Sequence, residues 1–421
     1  MIHSTRFFVL SFLGLLGACS SADLDSSLDS DTGTGGSSTS GGSTSSLSGG
    51  SSSTGGSADG SGGALLGGSS SGGSETSSGG SETGGSSTGG ATSGGSSSGG
   101  TGTGGTIDEN GCPAELVGWA AVSGSGVSTT TGGGNATPTT VTTFAALKAA
   151  AQDKAPRVIV ISGTIDTRDG GGSALEIASN KTLRGADDDA TIVGGLTMKN
   201  VSNVIVRQLN VKGTWPGSGP DDTLSTRNSH HVWFDHLNVW DAGDGLLDIT
   251  NASDYQTVSW CKFWYTNADH DHRLASLNGS GGGDHPEDEG KMRVTYHHNW
   301  WAELVDQRMP RVMYGDGHQF NNYFHSTGNS YCIGVGSYGS VLIENNYFED
   351  VNNPHQFMYA LWSHVTARGN VYDGTKGKKD TGYGGNAGDY KPAAFTDPPY
   401  DYTLDDADDV PELVTRCAGP Q

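Results

Sequence analysis

Between residues 204 and 370 the chain repeats itself, and the repeat leaves few folds open. The segments Val204 to Asn210, Val232 to Asn238, Val258 to Lys262, Val294 to Asn299, His318 to Asn322, Val341 to Asn346 and Val365 to Asn370 are short and end in Asn or Lys. Their shared register positions, 210, 238, 262, 299, 322, 346 and 370, are spaced by 28, 24, 37, 23, 24 and 24. A period in the low twenties with one short strand per repeat indicates a parallel β-helix, an all-β fold in which each repeat is one coil. A leucine-rich repeat has a similar period, but its Leu-x-x-Leu-x-Leu signature is absent from the sequence. Asn recurring at a turn can hydrogen-bond its counterpart one coil away, so the aligned asparagines are expected to form a ladder along the axis.

An open stack of coils needs its end covered. The run Phe144 to Gln152, preceded by Thr142 or Thr143 as an N-cap, reads as a short amphipathic capping helix. Arg157 to Ser162 follows as a buried strand. Two spacings exceed the period, and the extra residues fall at Gly217 to Thr223 and Asp269 to Gly290. Long excursions from a rigid coil are where function concentrates.

From Ser20 to about Thr106 almost every residue is Gly, Ser or Thr. Such a segment cannot bury enough apolar surface to offset its backbone entropy, so residues 19–106 are expected to be a disordered tether and 107–421 one folded domain. Residues 1–18 read as a signal peptide, because Arg6 precedes the apolar run Phe7 to Leu16. That run ends in Leu16-Gly17-Ala18-Cys19, which resembles a bacterial lipoprotein lipobox and implies lipidation of Cys19. Ser20 after it implies the outer membrane or cell surface. Membrane association is thus expected only through a lipid anchor. In an oxidising compartment Cys112 and Cys417 could staple the domain's ends, whereas pairing of Cys261 with Cys332 stays open. The formal charge of −23 argues against nucleic acid as a partner, but not against an acidic polysaccharide with a cation between the two.

Acidic residues gather near the excursions: Asp221 and Asp222, Asp244 and Asp248, and the run Asp269 to Arg273. Successive coils stack in space, so Asp222, Asp244 and Asp248 can converge although distant in sequence. A carboxylate set without Cys or a close His suits Ca²⁺ before Zn²⁺, while solvated turn aspartates are the plainer alternative. The His and Asp run 269–272 lacks zinc spacing and reads as loop or groove. The turn Arg308-Met309-Pro310-Arg311 places two arginines between strands, as either a surface loop or an anion site. Trp300, Trp301, Tyr323 and Phe324, at strand ends, are expected mainly in the core.

Taken together, Val232-Trp-Phe-Asp-His236, Asp244-Gly-Leu-Leu-Asp248 with Val258-Ser-Trp260, His297-His298-Asn299, Arg308-Met-Pro-Arg311 and Asn321-Asn-Tyr323 resemble the polysaccharide lyase family 1 pectate lyases. The resemblance extends to Val158-Ile-Val-Ile-Ser-Gly163 and Pro398-Pro-Tyr-Asp-Tyr402, so it covers nearly all of the folded domain in order. It implies a right-handed, single-stranded parallel β-helix and Ca²⁺-dependent β-elimination of polygalacturonate by a monomer. Asp222, Asp244 and Asp248 match the calcium ligands, and Arg308 matches the arginine that removes the C5 proton. Asp235 and His236 belong to the fold signature and are expected to pack or to hydrogen-bond between coils.

The chemistry gives these residue types a reason. Removing a proton beside a uronate carboxylate builds a second negative charge next to the first, which Ca²⁺ and an arginine would offset. Arginine is an awkward base, with an ordinary pKa of about 12.5–13.8, so an alkaline optimum is expected. Many family members carry a second, substrate-contacting arginine five residues after the base; here that position is Met313. Arg311 is expected to compensate, and Arg273 best matches the family's substrate-binding lysine. The competing readings are a pectin lyase acting on methyl-esterified chains without Ca²⁺ and a non-catalytic polysaccharide-binding or adhesion β-helix.

Overall fold

The computed structural model describes residues 111–281 and 285–421. The expected signal peptide 1–18, the lipidation site Cys19 and the tether 19–106 lie outside the described residues. The chain winds as an all-β, right-handed parallel β-helix of about 10 turns. Strands from successive coils lie side by side: Ser202–Lys212 pairs with His230–Trp240, which pairs with Asp254–Ser259, and so on through Val294–His297, Asp316–Phe320, Ser340–Glu344 and Ser363–Arg368, every pairing parallel. An eight-stranded sheet forms another wall, running from Leu175–Glu176 to His355–Met358.

The expected single asparagine ladder is in fact two ladders one residue apart. Asn210, Asn238 and Lys262 are register partners, but Lys262 lies level with Trp300 rather than Asn299. Asn299 sits one position earlier, where its Oδ1 accepts from the Cys261 N–H at 3.0 Å. The inner ladder is Asn299, Asn322, Asn346 and Asn370, each Nδ2 donating to the next Oδ1 at 2.9–3.0 Å. The outer pair, Asn238 and Asn210, bonds at 2.9 Å on a half-buried face. Successive strand residues face opposite sides, so an alignment by residue type alone cannot separate a spacing of 37 from one of 38. The backbone does so: Gln208, His236, Trp260, His298, Asn321 and Asn345 all take left-handed φ values of 47–54°, marking the same bend in each coil.

Inside the coil an aromatic stack runs along the axis. Phe263, Trp301, Phe324, Phe348 and Tyr372 follow one another with ring planes within 9–21° of parallel. Trp301 and Phe324 are thus core residues as expected. Trp300 and Tyr323 face the other way and pack beneath α2, Val410–Cys417, whose Val410 and Val414 are fully buried. Helix α1, Phe144–Gln152, caps the first coil with Leu147 and Ala151 turned inward, and Thr143 accepts the Ala146 N–H as its N-cap.

Both ends of the described chain run along the outside of the coils. The first segment donates Trp119 N–H to Thr295, Ala120 N–H to Thr257 and Gly133 N–H to Thr182. The last segment engages Asn345 and Asn321 through Asp405, then Trp260 through Gly419 and Gln208 through Gln421. A Cys112–Cys417 disulfide joins the two, as its position suggested. Cys261 and Cys332 are separate, buried thiols.

Candidate active site

The long excursions bring the predicted residues to one side of neighbouring coils. Asp222 ends the turn before the strand Leu224–Arg227, and Asp248 lies in the next strand, Leu247–Thr250, level with Ser225. Asp244 stands in the intervening turn, its N–H on Asp221 O at 2.8 Å. Parallel bridges run from Gly245 to Leu274 and from Leu274 to Gln307. Asp244, Arg273 and Asp306, one residue earlier in each coil, therefore follow one another along the axis. Arg308 lies in the turn before Arg311–Met313.

These groups act on each other. Burial, then the neighbouring Asp244, raise the Asp222 carboxyl to about 6. Asp248, 7% exposed, is held well above the ordinary carboxylate range by burial and by Asp222, with Arg308 acting against the shift. The Asp248 carboxylate accepts the Leu277 N–H at 3.1 Å, and Asp222 accepts the Gly245 N–H at 3.3 Å. A Cβ at residue 245 would collide with Asp248 Oδ1, so only glycine fits against that carboxylate. Carboxylates this close together, one buried and one half-buried, disfavour each other's ionised form and so favour a cation between them.

Positive charge arrives from the following coils. Arg308 has a backbone φ of 62°, and its Nε is buried without a hydrogen-bond partner. Arg273 donates from one guanidinium nitrogen to Ala268 O at 2.6 Å, while its buried Nε is likewise without a partner. Arg311 is tied into the wall by its neighbours. It is 6% exposed and donates to Tyr331 Oη at 2.7 Å, Tyr359 Oη at 2.9 Å and Gln307 Oε1 at 3.1 Å. These bonds join Arg311 to Gln307, next to Arg308 in the chain, and to the two tyrosines. Met313 is fully buried in the core, so no side chain at that position restores the second arginine.

Asp235 and His236 behave as fold residues. Asp235 accepts from Ser259 Oγ of the next coil at 2.8 Å and pairs with Arg207 of the previous one at 3.0 Å, while His236 stacks on Trp260. Among the described residues no group of three or more His, Cys, Asp or Glu side chains is already gathered around a metal position.

The family model for pectate lyase matches residues 108–372. The chain belongs to the pectate lyase family. Pectate lyase A of Emericella nidulans is 32% identical over 310 residues, covering 72% of this chain and 85% of that protein. A pectate trisaccharide-lyase of Thermotoga sp. is 33% identical over 290 residues, covering 62% and 76%. Among solved structures, pectate lyase II from Xanthomonas campestris superposes with a TM-score of 0.57 at 25% identity over 73% of this chain and 98% of that one. A Bacillus sp. N165 pectate lyase in complex with trigalacturonate superposes with a TM-score of 0.59 at 23% identity over 72% and 98%, a likeness of fold.

Several residues of this pectate lyase site were not singled out by sequence. Tyr265 donates its hydroxyl to Leu274 O at 2.8 Å and lies 3.1 Å from Asp244 O, tying the two turns together. Asp241 accepts the Thr266 N–H at 2.9 Å. Trp215 stacks on His270 across the excursions. A Trp-Pro-Gly sequence, residues 215–217, within a Gly-rich excursion was the one available signal.

Proposed function

We propose that the protein cleaves polygalacturonate by β-elimination, with Arg308 as the base and Asp222, Asp244 and Asp248 as carboxylates for Ca²⁺. The observation that carries this reading is the placement of Asp222, Asp244 and Asp248 on adjoining turns of one wall, with Arg273 and then the turn of Arg308 following on the next coils. The donor set fits the ion: it is all oxygen and partly buried. When bound, Ca²⁺ would supply charge neutralisation at the substrate carboxylate.

The chain's own residues account for the remaining chemistry. Arg273, one coil beyond Asp244, is placed to hold a uronate carboxylate. Arg308, in its unprotonated form, takes the C5 proton. The electron pair of that C–H bond becomes the C4–C5 double bond as the C4–O4 bond breaks, and the departing O4 is protonated by water. General-base catalysis by a guanidine is expected to give a rate that rises on the alkaline side. Arg311, through Gln307 and Tyr331, holds the backbone on either side of that turn in place. The protein is further proposed to act as a monomer, secreted and held at the outer membrane or cell surface through a lipid on Cys19.

The test is ultraviolet absorbance of the unsaturated product from polygalacturonate, with Ca²⁺ and with chelator. Calcium-dependent product formation is expected. Retained binding of polygalacturonate without product would replace the enzyme by a binding module. Calcium-independent action on esterified pectin would make it a pectin lyase.

A further inference from the structure

Trp215 and His270 belong to different coils, with the turn Asp241 to Gly245 between them, yet their rings stack at 4.3 Å with planes 6° apart. That turn has small residues, Ala242 and Gly243, at its middle, and Ala242 is fully buried. His270 is 3% exposed and fixed on every side. Its Nε2–H donates to Ala242 O at 2.7 Å, its Nδ1 accepts the His272 N–H at 3.1 Å, and the Tyr265 ring meets it edge-on at 5.4 Å. Both ring nitrogens are thereby satisfied in one neutral tautomer.

The same three coils are joined a second time at Asp241. Its carbonyl accepts the Trp215 N–H at 3.2 Å, and its carboxylate accepts Thr266 N–H and hydroxyl at 2.9 and 2.8 Å. The first excursion carries Asp222, the second carries Arg273, and the clasped turn carries Asp244. We infer that Trp215 and His270 form an aromatic clasp that sets the separation of Asp222, Asp244 and Arg273, acting as positioning residues for the acidic ligand set and the uronate-binding cation. This inference rests on the reading of the site as a pectate lyase. Neither ring is offered as a contact to substrate; each acts through the loop that it closes.

A clasp of this kind predicts a particular pattern of damage. Trp215→Ala and His270→Ala should raise both KM for polygalacturonate and the half-saturating Ca²⁺ concentration by at least about tenfold, the size seen when support for a ligand set is lost. The turnover number should fall less. Trp215→Phe keeps a flat ring and should recover most of the loss, whereas His270→Phe keeps the ring but leaves Ala242 O and His272 N–H unpaired and should recover only part of it. Calorimetric titration with Ca²⁺ alone, without substrate, should show the same order of affinities. The double alanine variant should be no worse than the worse single one, since either change opens the clasp. Unchanged KM and calcium dependence in folded alanine variants would overturn the inference. Should an alanine variant not fold, Trp215→Leu against Trp215→Phe decides it, equal calcium affinity in the two excluding a role for the ring stack. Absence of elimination by the unmodified protein sinks the lyase reading instead, and the calcium titrations still report on the clasp.

Discussion

Asn322 shows how much a single side chain can carry in this fold. Its Nδ2 donates to Tyr296 O at 2.9 Å and to Asn346 Oδ1 at 2.9 Å, while its Oδ1 accepts the backbone and side-chain N–H groups of Asn299 at 3.0 Å. None of these groups reaches water. Asn322→Ala should therefore cost about 3 kcal/mol, the penalty for stranding buried polar groups, whereas Asn210→Ala, on the half-buried outer ladder, should cost less than about 1 kcal/mol. Chemical denaturation midpoints would test the contrast, and equal losses would mean that the two ladders are equivalent. Arg308 presents the opposite case, a side chain whose removal should leave stability alone. Arg308→Ala is expected to lower elimination by at least about a hundredfold, the contribution ordinary for a general base, with an unchanged denaturation midpoint. A near-normal rate in that variant would assign the proton abstraction elsewhere.

At the scale of elements, helix α1 isolates what the capping of the stack contributes. Only Leu147 and Ala151 of its nine residues are buried, and its first turn depends on Thr143. Thr143→Ala should cost about 1 kcal/mol, as loss of an N-cap does elsewhere, with lyase activity unchanged because the site lies several coils away. An effect on KM would mean that the cap and the groove communicate. The helix, the coil period and the functional excursions were legible in sequence because each depends on local pattern: β-branched strands, Asn at turns, a Thr before an apolar helix. The register error at Lys262 and Asn299 arose where pattern gives out, since the long excursion Asp269 to Gly290 separates the two and only hydrogen bonds across coils fix the count. The aspartates and Arg308 were legible as a set through family resemblance. The engagement of Arg311 by Tyr331, Tyr359 and Gln307 was not, because those partners are 20, 48 and 4 residues away in sequence. The Trp215–His270 stack, 55 positions apart in the numbering, was out of reach for the same reason.

For the molecule as a whole, acid should be the weak side of the outer lacing. His297, His298 and His318 are all pushed below the ordinary histidine range, first by burial. Each is neutral in the folded chain and binds a proton more readily when unfolded. Their stabilising contribution is thus present above about pH 6.5 and is lost as pH falls through the depressed values. Glu344, buried yet held at about 2 by hydrogen bonds from His318, Arg368 and Tyr402, keeps its charge across that interval. Asp222 and Asp248, with raised values, act in the opposite sense. With chelator present, the Tm is expected to be higher at about pH 7 than at about pH 5, and an inverted profile would show that the carboxylate site outweighs the histidines. The disulfide closes a separation of 305 residues. Replacing Cys112 and Cys417 together by Ser should cost up to about 5 kcal/mol, read from denaturation midpoints.

The lacing also has a consequence for how this molecule can change. A coil that touches only its neighbours could in principle be inserted or lost singly, leaving the rest intact. Here the segment before the first coil bonds to positions as distant as Thr182 and Thr295, and the tail returns from Asn345 to Gln208. Adding one coil within that span would lengthen the axis by about 4.8 Å and throw both straps out of register with their anchor points. The number of coils is thereby gauged by two measuring tapes fastened to each other, and variation in length is steered into the side loops, where Asp222, Arg273 and their clasp reside.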